Sequence, residues 1–238
     1  MKVNSSNNSI QSGTLYVVGT PIGNLSDLSF RAVNILKKVD YIACENNRIT
    51  KKLLNHINSN KPTLSYWDKN ECQKTIILIQ KIKAGKSIAL VVDAGTPTVS
   101  DPGFRIVREC RRKKLPIVPI PGPCALIVAL SASGLPTNSF LFVGFLPPKK
   151  SARKNFFKKY KDFEYTIIIY ESCHRIIKFI LDLLSVLGEN RIICICREIT
   201  KLHENYLIGT ASKVASDIMN KNKKGEFVVL IAPKTFEL

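Results

Sequence analysis

Short runs of apolar residues alternate along the chain with segments whose apolar positions recur every three or four residues. In the first half the pattern predicts five strands, of which four are apolar throughout and one is weaker. Uniformly apolar strands are typical of a parallel sheet covered by helices on both faces, so we predict an α/β domain with a mostly parallel sheet. The predicted strands are Leu15–Val18, Tyr41–Cys44, Thr63–Tyr66 (the weaker one), Ile88–Val92 and Ile117–Ile120.

The second half continues the alternation with different spacing. Only about ten residues separate two of its predicted strands, which is too short for a parallel crossover, so part of this sheet is expected to be antiparallel. We therefore predict a C-terminal mixed sheet with helices. Its predicted strands are Phe140–Phe145, Tyr165–Tyr170, Arg191–Cys196, Tyr206–Ile208 and Phe227–Ala232.

Residues that favour helix ends divide these segments further. Asn70 with Gln73 three residues later has the pattern of a capping box, and Asp101 followed by proline predicts a second helix start. Gly188 follows an apolar helical face and predicts a helix end, while Thr210 predicts the start of a late helix.

Prolines and glycines between residues 119 and 134 indicate a domain boundary. We predict an N-terminal domain over 14–123 and a C-terminal domain over 124–238. Residues 1–13 are polar and rich in Asn and Ser, which predicts a disordered tail. This tail lacks the apolar centre of a signal peptide, and no apolar run reaches the roughly 20 residues of a membrane span, so a cytoplasmic location is expected.

Three loops rich in Gly and Pro directly follow predicted strands of the first half: Gly19–Asn24, Asp93–Pro97 and Pro121–Ala125. Ligands of open α/β sheets bind beyond the carboxyl ends of the strands, and glycine lets a backbone approach them closely. The loops carry neither a GxxxxGK[ST] phosphate loop nor a GxGxxG after the first strand, so ATP, GTP and dinucleotides lack their usual anchors. Backbone groups here could instead bind an adenine edge or an amino-acid zwitterion.

Composition adds a strong charge imbalance, with 36 basic against 18 acidic residues and a formal net charge of +18. Such a charge favours a polyanionic partner: nucleic acid first, a small polycarboxylate second and an anionic membrane surface third. A Lys-rich solvated surface is the alternative explanation. The seven cysteines form no CxxC pair and do not group with the three histidines, so we expect reduced thiols and no metal.

The order and spacing of eight motifs resemble the 16S rRNA cytidine 2′-O-methyltransferases of the tetrapyrrole methylase superfamily. The resemblance covers roughly residues 14–233, and the whole set is specific although no single motif is. The motifs are Val18–Ala32, Asp93–Pro97 with Asp101–Gly103, Pro121–Ala125, Ser133–Pro136, Gly144–Pro147, Tyr170–Arg175, Arg197–Lys201 and Lys224–Glu226.

This resemblance implies a two-domain tetrapyrrole-methylase fold that binds S-adenosyl-L-methionine (AdoMet) in an interdomain cleft, and a homodimer. It also implies methylation of a cytidine ribose in the decoding centre of 16S rRNA in the 30S subunit. Asp93 could hold a ribose hydroxyl or the amino group of AdoMet, or only cap its own turn. The cofactor contacts that the resemblance implies are Pro21, Ala94, Gly95, Thr96, Val99, Cys124, Ala125, Glu171, Glu198 and Ile199, and Asp93 joins them as a candidate because of its position at the end of the predicted strand Ile88–Val92.

One segment departs from the family pattern. Relatives of this type have Glu-Asp-Thr-Arg after the second strand, whereas this chain has Glu45-Asn46-Asn47-Arg48. A carboxylate and a hydroxyl have become amides, which puts activity in doubt if the aspartate of the pattern has a catalytic or ligand-orienting role.

Methyl transfer to a ribose hydroxyl needs an oriented hydroxyl and help in removing its proton. Glu45, Glu171 and His174 are the candidates for the base, and Arg48, Arg175 and Lys201 are candidates for binding the phosphodiester. His174 could equally make a structural hydrogen bond near a helix start. Glu171 could equally be a charge favoured by the helix dipole.

The densest basic segment begins at Lys149, and its cations Lys149, Lys150, Arg153 and Lys154 are predicted to contact RNA. Its aromatic residues could stack on bases, but an amphipathic helix that buries them in the core is favoured. Two rival functions stay open: a tetrapyrrole methylase of the same fold, and a non-catalytic RNA-binding ribosome assembly factor.

Overall fold

The computed structural model describes residues 9–219 and 224–238 and divides the chain into two units between Cys124 and Ala125. Of the segment predicted as a disordered tail, residues 1–8 lie outside the described residues. The last residues of the segment, from Gln11 to Gly13, are held in the first unit by hydrogen bonds. Gly13 N donates to Gly85 O at 3.0 Å, and Gln11 N donates to the Tyr16 hydroxyl at 2.8 Å.

The first unit is an open sheet of five parallel strands in the order β3-β2-β4-β1-β5, as the apolar runs predicted. Alternate strand residues pack on α1 and α2 on one face and on α3 and α4 on the other. The elements are β1 Leu15–Val18, α1 Phe30–Lys38, β2 Tyr41–Cys44, α2 Asn47–His56, β3 Thr63–Ser65, α3 Glu71–Lys83, β4 Ile88–Val91, α4 Phe104–Arg112 and β5 Ile117–Ile120.

The second unit contains a mixed sheet of five strands in the order β6-β7-β10-β8-β9, which confirms the predicted mixture of directions. Only β6 and β7 pair in parallel, and the other three pairings are antiparallel. The elements are α5 Ala125–Ala132, β6 Phe140–Phe145, α6 Lys150–Lys159, β7 Thr166–Ser172, α7 Ile176–Leu187, β8 Ile192–Arg197, β9 Asn205–Thr210, α8 Ala211–Met219 and β10 Glu226–Ile231.

At two predicted helix starts the predicted side-chain caps are absent, although α3 does begin directly after Asn70. Asn70 precedes α3 without capping it, since its side-chain oxygen accepts a hydrogen bond from Trp67 N at 2.9 Å instead. At α4 the cap residue is Gly103, whose φ is 134° and whose N–H donates to Glu71 Oε1 at 2.7 Å. A carboxylate from α3 therefore caps α4, a role that we had assigned to Asp101.

The other two predicted helix ends are confirmed. Thr210 Oγ1 accepts a hydrogen bond from Lys213 N at 3.4 Å at the start of α8. Gly188 ends α7 with φ 87°, in the left-handed region that glycine adopts without strain.

Candidate functional site

The three loops rich in Gly and Pro meet at the carboxyl edge of the first unit's sheet. Thr20 and Gly95 exchange two backbone hydrogen bonds, of 2.8 and 3.1 Å, which join the loop after β1 to the loop after β4. Gly19 lies against Gly122 so closely that a Cβ on either residue would be 2.8 Å from backbone atoms of the other. Glycine is therefore required at both positions for the loops after β1 and β5 to touch.

Gly95 lies at the centre of this arrangement. Its φ is 88°, and an added Cβ would lie 3.3 Å from Ile22 Cγ2. Next to it, Thr96 Oγ1 donates to Pro123 O at 3.2 Å, which joins the loop after β4 to the loop after β5. The loops thus form one continuous backbone surface, and we refer to it as the loop cradle, made of Gly19–Asn24, Asp93–Pro97 and Pro121–Cys124.

The loop cradle contains most of the cofactor contacts predicted for the N-terminal half. Pro21, Asp93, Ala94, Gly95 and Thr96 all lie on its segments. Val99 follows directly, with its backbone N–H bound to Thr96 O at 3.3 Å. Cys124 ends the cradle, whereas Ala125 begins α5 of the second unit.

Backbone strain marks the loop that continues from the cradle into α4. Thr98 and Ser100 have φ values of 76° and 63°, a region that non-glycine residues rarely adopt. Thr98 N donates to Pro102 O at 3.3 Å and so fixes this conformation. No sequence pattern predicts this conformation, because neither residue is a glycine or an asparagine.

Asp93 of the cradle lies close to three further carboxylates, and we refer to the four as the acidic cluster: Glu45, Asp68, Asp93 and Asp101. Asp93 N donates to Glu45 Oε2 at 3.4 Å, while the buried Asp93 Oδ1 has no hydrogen-bond partner among the described residues. Burial raises the pKa of both carboxyls, and Asp93 raises that of Glu45 further. A buried acceptor without a partner, next to like charges, favours a cationic or hydrogen-donating ligand.

Asp101 is the most strongly perturbed member of the cluster. Burial, followed by the charges of Glu45, Asp93 and Asp68, raises its pKa to about 7. The sequence predicts Asp101 only as a helix cap, because the approach of Asp101 and Asp68 to Glu45 depends on how the loops after three strands fold together.

Replacing Asp101 by Asn is expected to stabilise the protein at pH 8 and to have little effect at pH 4. The folded-state pKa lies above the usual 3.8, so the folded state keeps a proton that the unfolded chain has lost. In the wild type, the raised pKa of Asp101 makes its full contribution to the free energy of unfolding below about pH 4. That contribution is lost as the pH rises through about 7. We expect a gain of about 1 kcal/mol at pH 8, well below the full linkage value, because Asp101 is partly exposed to solvent.

The measurement is the thermal midpoint of wild type and Asp101→Asn across this pH range. Glu164→Gln, at an exposed carboxylate of the second unit, is the control and should show no such pH-dependent difference. A gain that is the same at both pH values would contradict the raised pKa.

The altered segment after β2 has a structural explanation. Asn46 caps α2, because its side-chain oxygen accepts a hydrogen bond from Arg48 N at 3.0 Å, and Asn47 Oδ1 accepts one from Cys44 Sγ at 3.0 Å. Asparagine caps a helix about as well as aspartate. The amide at Asn46 thus keeps the cap without adding another charge beside Glu45, and Arg48 remains exposed.

In the second unit, Glu171 lies inside β7 with its side chain wholly buried. Its Oε1 accepts from Ser172 N at 2.8 Å, and its Oε2 lies 3.2 Å from Arg175 Nη2. Burial raises the Glu171 pKa, although Ser172 N–H and Arg175 oppose the shift. The helix-dipole alternative for Glu171 is wrong, because α7 begins only at Ile176.

Arg175 has contacts of its own that limit its availability to a phosphodiester. Its Nη2 donates to Leu146 O at 2.6 Å, in the loop after β6. The pair Glu171–Arg175 thus fixes that loop. His174 is exposed on the turn before α7.

A second strained turn follows β8, where Glu198 and Thr200 have φ values of 53° and 66°. Lys201 Nζ binds both Glu198 Oε1 at 2.8 Å and Glu226 Oε2 at 2.7 Å. Burial would raise the Glu198 pKa, but the hydrogen bonds from Lys201 and from Glu226 N outweigh it and lower the pKa. The side chains of Glu198 and Lys201 are therefore committed to this turn, and Ile199 is buried within it.

The basic segment at α6 divides into exposed cations and one buried cation. Lys149 and Lys150 are exposed and Lys154 is half-buried. Arg153 is only 4% exposed, and its Nε and Nη2 donate to Asp182 Oδ2 at 3.1 and 2.6 Å. The prediction that Arg153 contacts RNA is wrong, because binding a phosphate would break this buried ion pair.

The aromatic residues of α6 face the core, as the amphipathic alternative predicted. Phe157 is buried with its ring centroid 5.3 Å from that of Phe179, and Phe156 and Tyr160 pack against the same core. Base stacking on Phe157 is thereby excluded, and Phe156 and Tyr160 are partly buried.

No helix among the described residues is long and apolar enough to cross a membrane. Over 9–219 and 224–238 no three His, Cys, Asp or Glu side chains are arranged to hold a metal ion.

Comparison with known proteins gives one family and one group of relatives. The model of the Tetrapyrrole (Corrin/Porphyrin) Methylases matches residues 14–215. Ribosomal RNA small subunit methyltransferase I of Vibrio cholerae serotype O1 is 48% identical over 221 residues, covering 91% of the chain and 76% of the relative. The proteins of the same name from Synechocystis sp. and Escherichia coli O157:H7 are 44% and 42% identical, covering 94% and 92% of the chain and 81% and 77% of the relative.

Solved structures share the fold at much lower identity. Cobalt precorrin-4 methyltransferase matches with a TM-score of 0.65 and 14% identity, covering 92% of the chain and 95% of that structure. Uroporphyrin-III-C-methyltransferase from Thermus thermophilus matches with a TM-score of 0.61 and 18% identity, covering 92% and 94%.

Proposed function

The chain belongs to the tetrapyrrole (corrin/porphyrin) methylase family, and from this we propose that it is an AdoMet-dependent methyltransferase of small-subunit ribosomal RNA. The observation that carries the proposal is the loop cradle, whose glycines let three loops pack together at the carboxyl edge of a parallel sheet. The relatives at 42–48% identity are named for this rRNA activity. Enzymes that act on corrinoids and porphyrins share only 14–18% identity, which supports the fold alone.

The residues of the loop cradle fit AdoMet. Gly19 and Gly122 let the loops after β1 and β5 approach each other closely, and exposed Ala94 and Gly122 present small groups there, which suits an adenine edge and an amino-acid moiety. Beside them, Asp93 Oδ1 is a buried acceptor in need of a donor, such as an ammonium group or a ribose hydroxyl. The cofactor supplies a methyl group already activated by the positive charge of its sulfonium.

What remains for the protein is to orient the ribose hydroxyl and to accept its proton, which together contribute a large part of such a rate enhancement. Glu45 and Asp101 are suited to proton acceptance, since burial and like charges hold their pKa values above the usual range. His174 is a further candidate because it is exposed. Glu171 is a weaker one, because its carboxylate is wholly buried against Arg175.

The finer details of the proposal follow the family resemblance. We propose the 2′-hydroxyl of a cytidine in the decoding centre of 16S rRNA as the acceptor, the 30S subunit as the partner, a homodimer as the assembly and the cytoplasm as the location. Exposed Lys149 and Lys150, half-buried Lys154 and exposed Arg48 are the proposed contacts to RNA phosphates in this scheme.

Incubation with labelled AdoMet and 30S subunits lacking the modification should transfer label to a single 16S nucleoside, identified as 2′-O-methylcytidine after digestion. Subunits that already carry the modification are the matched control and should take up no label. AdoMet binding without any transfer would contradict the proposal and favour a non-catalytic assembly factor. Transfer to a tetrapyrrole instead of RNA would favour the rival enzyme.

A further inference from the structure

Helices α3 and α4 pack side by side on one face of the first unit and leave a groove of about 450 Å³ between them. Cys72, Ile76 and Ile79 lie along α3 in its lining, and Ile76 is 62% exposed. We call this feature the α3–α4 groove. It is separate from the loop cradle, and the proposed methyl transfer does not use it.

The rim of the α3–α4 groove is strongly cationic. Lys83, Arg105, Arg108 and Lys113 line it, and among the described residues Lys83, Arg108 and Lys113 form no ion pair with a carboxylate. The single lining carboxylate, Glu109, is paired with Arg112 at 2.7 Å. A row of cations without carboxylate partners fits a ligand that carries repeated negative charge.

Two exposed aromatic rings lie at the amino-terminal ends of the same helices. Phe104, 62% exposed, starts α4 with the Arg108 guanidinium 5.5 Å from its ring centre. Trp67, 40% exposed, precedes α3 with Lys69 Nζ 5.6 Å from its ring centre. Exposed aromatic rings beside cations are the usual platform for unpaired bases, whose phosphates lie on the surrounding cations.

The position of the groove connects it with the loop cradle. Glu71 joins the two helix starts, since its carboxylate accepts from Gly103 N at 2.7 Å and lies 3.3 Å from Arg105 Nε. The two helices follow β3 and β4 in the chain, so both begin from the same carboxyl edge of the parallel sheet as the cradle. The groove therefore leads away from the edge where the methyl donor is proposed to bind.

We propose that the α3–α4 groove binds a single-stranded segment of the substrate RNA, next to the nucleotide that is methylated. Lys83, Arg108 and Lys113 contact its phosphates, and Phe104 stacks on one of its bases. This inference rests on the proposed function. An acidic segment of a ribosomal protein would satisfy the cations as well, but it gives no role to the two exposed aromatic rings.

The test is the triple variant Lys83→Ala, Arg108→Ala and Lys113→Ala, compared with wild type for binding to deproteinised 16S rRNA and to 30S subunits over a salt series. Losing three phosphate contacts should weaken binding to both about tenfold and make the slope of log affinity against log salt shallower by about 2. The matched control is Lys37→Ala, Lys178→Ala and Lys213→Ala, which removes the same charge from exposed positions elsewhere. Affinity for AdoMet should be unchanged in both variants.

A second readout needs no substitution. Cys72 lines the groove and is the one exposed cysteine of the seven. If RNA fills the groove through contacts to its phosphates, bound 16S rRNA should slow the alkylation of Cys72 by a small maleimide about tenfold or more.

Unchanged affinity and salt slope in the groove variant would overturn the inference, as would unprotected Cys72 in the wild-type complex. Weakened binding to 30S subunits with normal binding to deproteinised rRNA would assign the groove to a ribosomal protein and overturn it too. Failure of the proposed function itself would be seen in the labelling experiment with the wild-type protein. There, no label would pass from AdoMet to any 30S subunit.

Discussion

Gly95→Trp is expected to abolish binding of AdoMet, from an affinity on the order of micromolar to one below detection by calorimetry. Gly95 has φ 88° and lies where the three loops of the cradle meet, with Ile22 Cγ2 only 3.3 Å from the position of an added Cβ. An indole here either fills the surface that we assign to the cofactor or forces the loops apart. Both outcomes remove backbone groups from reach of the ligand.

The matched control for this substitution is Gly188→Trp. Gly188 has nearly the same φ, 87°, but no atom lies within 4 Å of the position of its added Cβ. The two variants thus share the cost of a left-handed non-glycine residue, of the order of 1–2 kcal/mol, and differ in location. AdoMet binding that survives in Gly95→Trp, or that is lost equally in both variants, would contradict the assignment of the loop cradle.

Sequence patterns predicted the sheets well, because strand position depends mainly on where apolar residues are continuous. All ten predicted strands are present, and Leu15–Val18, Tyr41–Cys44, Ile117–Ile120 and Phe140–Phe145 have the predicted bounds. Helix starts were harder to predict. The cap of α4 is supplied by Glu71, which is 32 residues away in the chain, so no local pattern near Gly103 contains it.

In the candidate site, too, features set by neighbouring residues could be predicted, whereas features set by residues far apart in the chain could not. Glycine-rich loops after strands could be found in the sequence, because parallel strands carry the loops after them to one edge of the sheet. The contact between Gly19 and Gly122 and the raised pKa of Asp101 could not be found there, since both depend on loops from different strands. Asp101 becomes a titrating group near neutral pH only once Glu45, Asp93 and Asp68 surround it.

Arg153 is the clearest case in which composition misled. It lies in a run of lysines that suggests an RNA-binding surface, yet its guanidinium is buried on Asp182, 29 residues further along the chain. Charge in a sequence does not reveal which cation has a carboxylate partner in the fold.

Arg153→Ala is therefore expected to destabilise the protein by about 3–5 kcal/mol, because it leaves the carboxylate of Asp182 buried without a counter-charge. Removing the other partner in Asp182→Ala should be similarly costly, since Arg153 would then be the uncompensated charge. The double variant Arg153→Met with Asp182→Leu should recover most of the lost stability, as apolar replacements of buried ion pairs commonly do. The measurement is the free energy of unfolding from urea denaturation.

Lys154→Ala is the control for the same helix, since this neighbouring cation is half-buried and forms no ion pair with a described residue. Its stability should change by no more than about 0.5 kcal/mol. For RNA binding the order of the two effects should be reversed. At a temperature where both variants are folded, Lys154→Ala should bind 30S subunits more weakly than wild type, whereas Arg153→Ala should bind them as wild type does. If Arg153→Ala kept wild-type stability and lost affinity for 30S subunits with a shallower salt slope, Arg153 would be an RNA contact and the ion pair with Asp182 would contribute nothing to folding.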